Sequence, residues 1–71
     1  MKETKSLTER EKQVLTLMAN GYDNNQISKT LFISIHTTKA HVSSILQKLG
    51  VNNRTVASVI GVKLQIIDIN I

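Results

Sequence analysis

Apolar residues recur at three- and four-residue spacing along most of the chain, and capping residues and glycines break the runs, a pattern that predicts four helices and no stable sheet. In Leu7-Thr8-Glu9-Arg10-Glu11 the Thr8 hydroxyl can accept from the Glu11 amide while the Glu11 carboxylate reaches back to the Thr8 amide, so a first helix opens near Glu9. Its stripe is Val14, Leu15, Leu17 and Met18, and Asn20-Gly21 offers a left-handed residue that ends it near Asn20, with Tyr22 folding back onto Leu17. Asp23 caps a second helix over about residues 24 to 31, with Gln26 in the complementary position and Ile27 and Leu31 one turn apart. Phe32-Ile33-Ser34 makes a tight connection whose apolar members are expected to plug the corner, and Ser34 caps a third helix over 35 to 49, ended by Gly50. Asn53 caps a fourth over 54 to about 65, although Val56 stands where a glutamate would complete a capping box. The tail, residues 66 to 71, alternates like a strand but has no partner strand, so it is expected to be a helix end plus a fraying tail, and residues 1 to 6 a flexible lead-in.

The third helix has two chemically different sides. Thr38, Val42, Ile45 and Leu49, with Leu46 beside them, form a mostly apolar stripe that suits packing on the first two helices. On the other side His36, Lys39, Ala40, Ser43 and Gln47 follow the same spacing, short or hydrogen-bonding and free of acid. A major groove about 12 Å wide admits a helix whose exposed positions are small or carry donors. Ala40 and Ser43 permit close approach, and Lys39 reaches guanine acceptors or phosphate. With the short corner before it, this helix and its predecessor read as a helix-turn-helix over about residues 24 to 43. The plainer alternative is the solvated face of a surface helix.

The placement of charge tilts that choice. The acids are Glu3, Glu9, Glu11, Asp23 and Asp68, so residues 24 to 67 hold no carboxylate while carrying Lys29, Lys39, Lys48, Arg54, Lys63 and two histidines. Such a stretch presents a positive field that attracts phosphate. Lys29 reads as merely solvated. Lys48 and Arg54 can be helix-end dipole partners or phosphate anchors, and for Arg54 the backbone contact is preferred.

Size and composition exclude most other chemistry. A chain of 71 residues forms one small domain without room for a substrate cleft. Cysteine is absent, which removes disulfides, thiolate chemistry and cysteine zinc sites. His36 and His41 point about 140° apart on a helix and have no third ligand nearby. Nothing fixes a serine beside a base. The expectation is therefore no enzyme, no catalytic residue, no metal and no cofactor. No apolar stretch approaches the length of a membrane span and Met1 to Ser6 lacks a signal-peptide core, so the default location is the cytoplasm and no membrane partner is expected.

At this point the chain resembles a family, the LuxR/GerE-type (NarL/FixJ-type) DNA-binding domains of bacterial regulators. The matching residues are Leu7-Thr8-x-Arg10-Glu11 with Val14-Leu15, then Gly21, Asn24, Ile27, Leu31, Ile33-Ser34 and Thr37-x-Lys39-x-His41-Val42. They continue as Ile45-x-x-Lys48-Leu49-Gly50-Val51-x-Asn53-Arg54-Thr55-x-Ala57, so the likeness runs from about Leu7 to Lys63. It implies an all-α, four-helix domain whose third helix lies in the major groove of double-stranded DNA. It also implies base-edge contacts at Lys39, Ala40 and Ser43, to which the outward-face reading adds His36. Thr37, His41 and Asn24 then fall near the phosphates, joined by Asn25, Gln47 and Arg54 as backbone contacts. Departures carry consequences. Asn25-Gln26-Ile27-Ser28 stands where the family usually has Lys-Glu-Ile-Ala, losing a phosphate-contacting lysine and lowering the expected non-specific affinity. Thr38 replaces a valine, so its hydroxyl must bond back to the helix or cost about 1 to 3 kcal/mol.

The fourth helix bears on oligomeric state. Val56, Val59, Ile60 and Lys63 lie on one side while Ala57 and Leu64 turn toward the core, leaving an apolar strip that a two-fold dimer would cover. Pairing would set two recognition helices one DNA turn apart, about 34 Å, on an inverted repeat. The expectation is weak self-association strengthened by DNA, within a transcriptional regulator that would also meet RNA polymerase. The runner-up is a protein-interaction module docking a partner through the same strip. Both a stand-alone regulator and the output end of a larger protein fit the sequence.

Overall fold

Each helix starts on a side chain that satisfies its first free amides, and the caps set where the four segments begin. The structure, a computed structural model, describes residues 6–67. It contains α1 (Glu9–Ala19), α2 (Asn24–Leu31), α3 (Ile35–Leu49) and α4 (Arg54–Lys63). Thr8 and Glu11 form the expected reciprocal cap on α1, and Asp23 and Gln26 form another on α2. Ser34 Oγ accepts the Thr37 amide at 2.9 Å, and Asn53 Oδ1 accepts the amides of Thr55 and Val56. Gly21 and Gly50 both take positive φ where α1 and α3 stop.

Packing gathers these helices around one core. α1 lies against both α3 and α4, while α2 rests mainly on α3. Val14, Leu15, Ile27, Ile45 and Ala57 are fully enclosed, with Leu7, Leu17, Met18 and Val42 nearly so. Thr38 is also fully buried, and its hydroxyl donates to the Ser34 carbonyl at 3.0 Å, the back-bond that a hydroxyl in an apolar stripe requires. Gly61 lets α4 lie close to α1: a Cβ there would stand 2.9 Å from Leu15 Cδ2 and 3.2 Å from Ile67. Among the described residues no helix is long and apolar enough to cross a membrane.

Three expectations need correction. Phe32 does not plug the corner after α2. It adopts a left-handed conformation (φ 59) as the C-cap and is 94% exposed, so Ile33 and Leu31, both half-buried, close that corner instead. Leu64 does not turn into the core, being 59% exposed. α4 stops at Lys63, two residues early, because Gln65 turns left-handed and the Ile66 amide donates to the Gly61 carbonyl at 2.9 Å. That reversal lays Ile66 and Ile67 half-buried against the core in place of fraying. The rest of the tail, residues 68–71, and the lead-in, residues 1–5, lie outside the described residues.

One polar cluster sits inside this packing. Glu11 Oε1 accepts the Thr8 amide at 2.9 Å and Lys48 Nζ at 2.8 Å, and Oε2 accepts the Ser44 hydroxyl at 2.6 Å. Lys48 is thus committed to a buried carboxylate, and its ammonium also reaches the Ser6 carbonyl at 3.3 Å. Burial by itself pushes the Glu11 carboxyl up, but the hydrogen bonds from Lys48, Ser44 and Thr8 and the Lys48 charge outweigh it and bring it from 4.5 down to about 2.

A carboxyl depressed in the folded state contributes stability above its unfolded value and loses it as acid protonates the native form. The advantage of the unmodified chain over Glu11→Gln should therefore be full above about pH 4.5 and vanish as pH falls toward about 2, read by urea unfolding across that range. An advantage that is flat with pH would contradict this account of the cluster. Lys48→Met, which strands a buried charge, should lower stability by about 3 kcal/mol in the same assay at neutral pH. The double variant Glu11→Leu/Lys48→Met should recover much of that loss.

Candidate nucleic-acid interface

The buried stripe of α3 fixes which residues face outward. With Thr38, Val42 and Ile45 enclosed, the opposite side of the helix carries His36, Lys39, Ala40, Ser43 and Gln47, all exposed. Thr37 and His41 flank this face and are half-buried. The Thr37 hydroxyl oxygen accepts from Ser34 Oγ at 3.0 Å, which leaves its own proton to donate elsewhere. No acid stands on this face: Glu11 is consumed inside, and Lys48, on the far side of the helix, with it.

Two other elements border the same face. The start of α2 contributes Asn24, half-buried, and Asn25, exposed. The first residue of α4, Arg54, arrives beside them, so Asp23, Asn24, Asn25, Ile35, Lys39 and Arg54 line one open recess. Asp23 Oδ1 is occupied by the Gln26 amide at 2.8 Å. Arg54 is half-buried and its guanidinium donates to Asn24 Oδ1 at 2.8 Å and to the Tyr22 carbonyl at 3.0 Å. The fold therefore brings Lys39, Asn24, Asn25 and Arg54 together from three helices. Gln47 stands apart, two turns beyond Lys39 and about 12 Å along the axis.

Ile35 is the residue of this region that the sequence reading passed over. It is 37% exposed at the start of α3 and shares the recess with Lys39. Its azimuth lies between the core stripe and the outward face, so spacing alone assigned it to neither.

α4 presents a separate surface on the other side of the molecule's short fourth helix. Val56 is 44% exposed and Val59 58%, and Lys63 is exposed as well, whereas Ile60 is half-buried. Val62 and Leu64 extend the apolar strip beyond the residues that the sequence singled out. A shallow groove lined by Ala19, Ser58, Val59, Val62 and Lys63 runs between α1 and α4. Among the described residues no three histidine or carboxylate side chains converge as metal ligands would.

This arrangement matches known proteins along most of its length. The profile described as bacterial regulatory proteins, luxR family, matches residues 5–60. The chain is 54% identical over 57 residues to the transcriptional regulatory protein DegU of Brevibacillus brevis, covering 80% of this chain and 24% of that protein. It is 50% identical over 54 residues to the transcriptional regulatory protein LiaR of Bacillus subtilis, covering 76% of this chain and 26% of that one. The chain thus spans about a quarter of the length of these curated relatives. Among solved structures, the transcription factor GerE superimposes with a TM-score of 0.82 at 34% identity, covering 93% of this chain and 100% of that one. The response regulator ChrA of a heme-sensing two-component system superimposes with a TM-score of 0.85 at 38% identity, over 93% of this chain and 33% of that one.

Proposed function

We propose that this chain, which belongs to the luxR family of bacterial regulatory proteins, is the DNA-binding unit of a transcriptional regulator and reads duplex DNA with α3 in the major groove. The observation that carries this reading is the two-sided chemistry of α3: one side locked into the core, the other exposed, acid-free and bearing Lys39 between small residues. In this reading Lys39, Ala40, Ser43 and His36 meet base edges. Asn25, Thr37, His41 and Gln47 meet the phosphate backbone, and Asn24 with Arg54 belongs to the same backbone-facing set. The recess that gathers Lys39, Asn24, Asn25 and Arg54 supports a single contact surface running from the groove to the adjoining strand.

Two copies acting together account for the exposed strip on α4. Val56 and Val59, with Ile60 and Lys63 at the margin, form the pairing surface, and the DNA site is an inverted repeat with half-sites one turn apart. The pairing is weak because the strip is small, and the duplex strengthens it by holding both copies at once.

Selection of bound duplexes from a random pool, followed by a salt titration of the winners, tests the reading. Log affinity should fall linearly with log salt, by about 0.9 per phosphate neutralised. Lys39→Ala should lose about 1 to 3 kcal/mol of discrimination between the selected site and a scrambled one. A loss equal on every sequence would make Lys39 a phosphate contact, and affinity indifferent to salt would remove the DNA reading altogether. Val59→Asp should leave binding to an isolated half-site intact but weaken binding to the full inverted repeat about 10-fold or more, measured by gel shift. Equal affinity on both duplexes would show that α4 does not pair copies.

A further inference from the structure

α2 and α4 do not pack on one another among the described residues, yet one side chain joins them. Arg54, at the first position of α4, spends two arms of its guanidinium at the start of α2: Nη1 donates to Asn24 Oδ1 at 2.8 Å and Nη2 to the Tyr22 carbonyl at 3.0 Å. Both bonds are partly buried, and the Tyr22 carbonyl belongs to the chain just before the α2 cap. A guanidinium can only donate, so Asn24 is obliged to offer its oxygen, and that settles which way its amide points. The Asn24 Nδ2 group, with two protons to give, is then turned away from Arg54 and donates to no acceptor among the described residues. Asn24 itself borders the recess that holds Asn25, Ile35 and Lys39.

We propose that Arg54 is a positioning residue for DNA binding: it holds Asn24 so that Nδ2 donates to a backbone phosphate, while its own guanidinium stays on Asn24 and Tyr22. The proposal rests on the DNA-binding reading and refines the place of Arg54 within it. Two consequences follow, and the loss of additivity between Arg54 and Asn24 is what separates it from a direct phosphate contact by Arg54, whose fork would also favour arginine over lysine. The geometry of the fork matters more than the charge, because an ammonium on a flexible stem cannot hold both acceptors in one plane. And a neutral amide contact adds affinity without adding its own counterion to those released, so losing it leaves the salt dependence unchanged.

The experiment follows binding of a fluorescein-labelled duplex, obtained by selection from a random pool, by anisotropy over a salt series. It uses the unmodified chain, Arg54→Lys, Asn24→Ala and the double variant, with thermal unfolding by circular dichroism as the check on folding. Arg54→Lys, although it keeps the charge, should bind about 3- to 10-fold more weakly, as should Asn24→Ala. Both should show the salt slope of the unmodified chain, and the double variant should bind no more weakly than the weaker single. Arg54→Lys binding as well as the unmodified chain, or losses that multiply in the double variant, would overturn the proposal. If the unmodified chain itself bound no duplex, the DNA-binding reading would fail first and take this inference with it. Should Arg54→Lys prove unfolded, the side-chain amide resonances of Asn24 in the unmodified chain decide the matter: they move on adding the duplex if Nδ2 meets phosphate, and immobile resonances reject it.

Discussion

A single carboxylate ties the ends of this fold together. Glu11 caps its own helix through the Thr8 amide and, from the same group, takes Lys48 and Ser44 of α3. Its position in the first turn of α1 means that the cap of one helix and the rotation of another are fixed by the same atoms. A buried charge is costly to leave unmet, so the arrangement that gives it three donors is strongly preferred over a rotated or shifted α3. Apolar packing alone is less exacting, because Leu and Ile tolerate small rotations of a stripe.

The direction in which α3 is rotated is what gives the chain the exposed, acid-free face proposed to meet DNA. Ser44 and Lys48 are one turn apart and both reach Glu11 of α1, to one side of the enclosed stripe that holds Val42 and Ile45. Thr38 extends the same inner side by bonding to the Ser34 carbonyl, so a polar residue completes the stripe without an unmet hydroxyl. His36, Lys39, Ala40, Ser43 and Gln47 are left turned to solvent, with Thr37 and His41 half-buried at the edges of that side. In the reading proposed above, specificity for a duplex comes from a helix whose back is fixed by its contacts, through outward side chains that make none of the hydrogen bonds holding the core.

Arg54 and Lys48 show why sequence position alone assigns basic residues poorly. Both sit at helix ends, but Lys48 lies in the last turn of α3, where a cation suits the helix dipole, whereas Arg54 opens α4, where the dipole opposes it. In the fold one answers a buried acid from α1 and the other bridges α4 to the start of α2. The partners lie thirty or more positions away along the chain, at separations of 37 and 30 residues. Phe32 is the converse case. A large aromatic in a short corner suggests burial, but the chain turns from α2 to α3 with Phe32 in the left-handed conformation and its ring turned out to solvent.

Local chemistry therefore determined a good deal by itself: four helices, their starting caps at Thr8, Asp23, Ser34 and Asn53, the glycine stops of α1 and α3, and the outward side of α3, because each depends on groups within four residues of one another. The family likeness was equally legible, since it lies in residues at fixed spacing. What only the tertiary structure decided was the use of groups whose partners are remote: Glu11 with Lys48 and Ser44, Arg54 with Asn24, the close approach at Gly61, and the return of Ile66 and Ile67 onto the core. Long-range contacts such as these depend on how whole helices are placed against each other, and that placement follows from the sum of many weak packing terms that no short stretch of sequence contains.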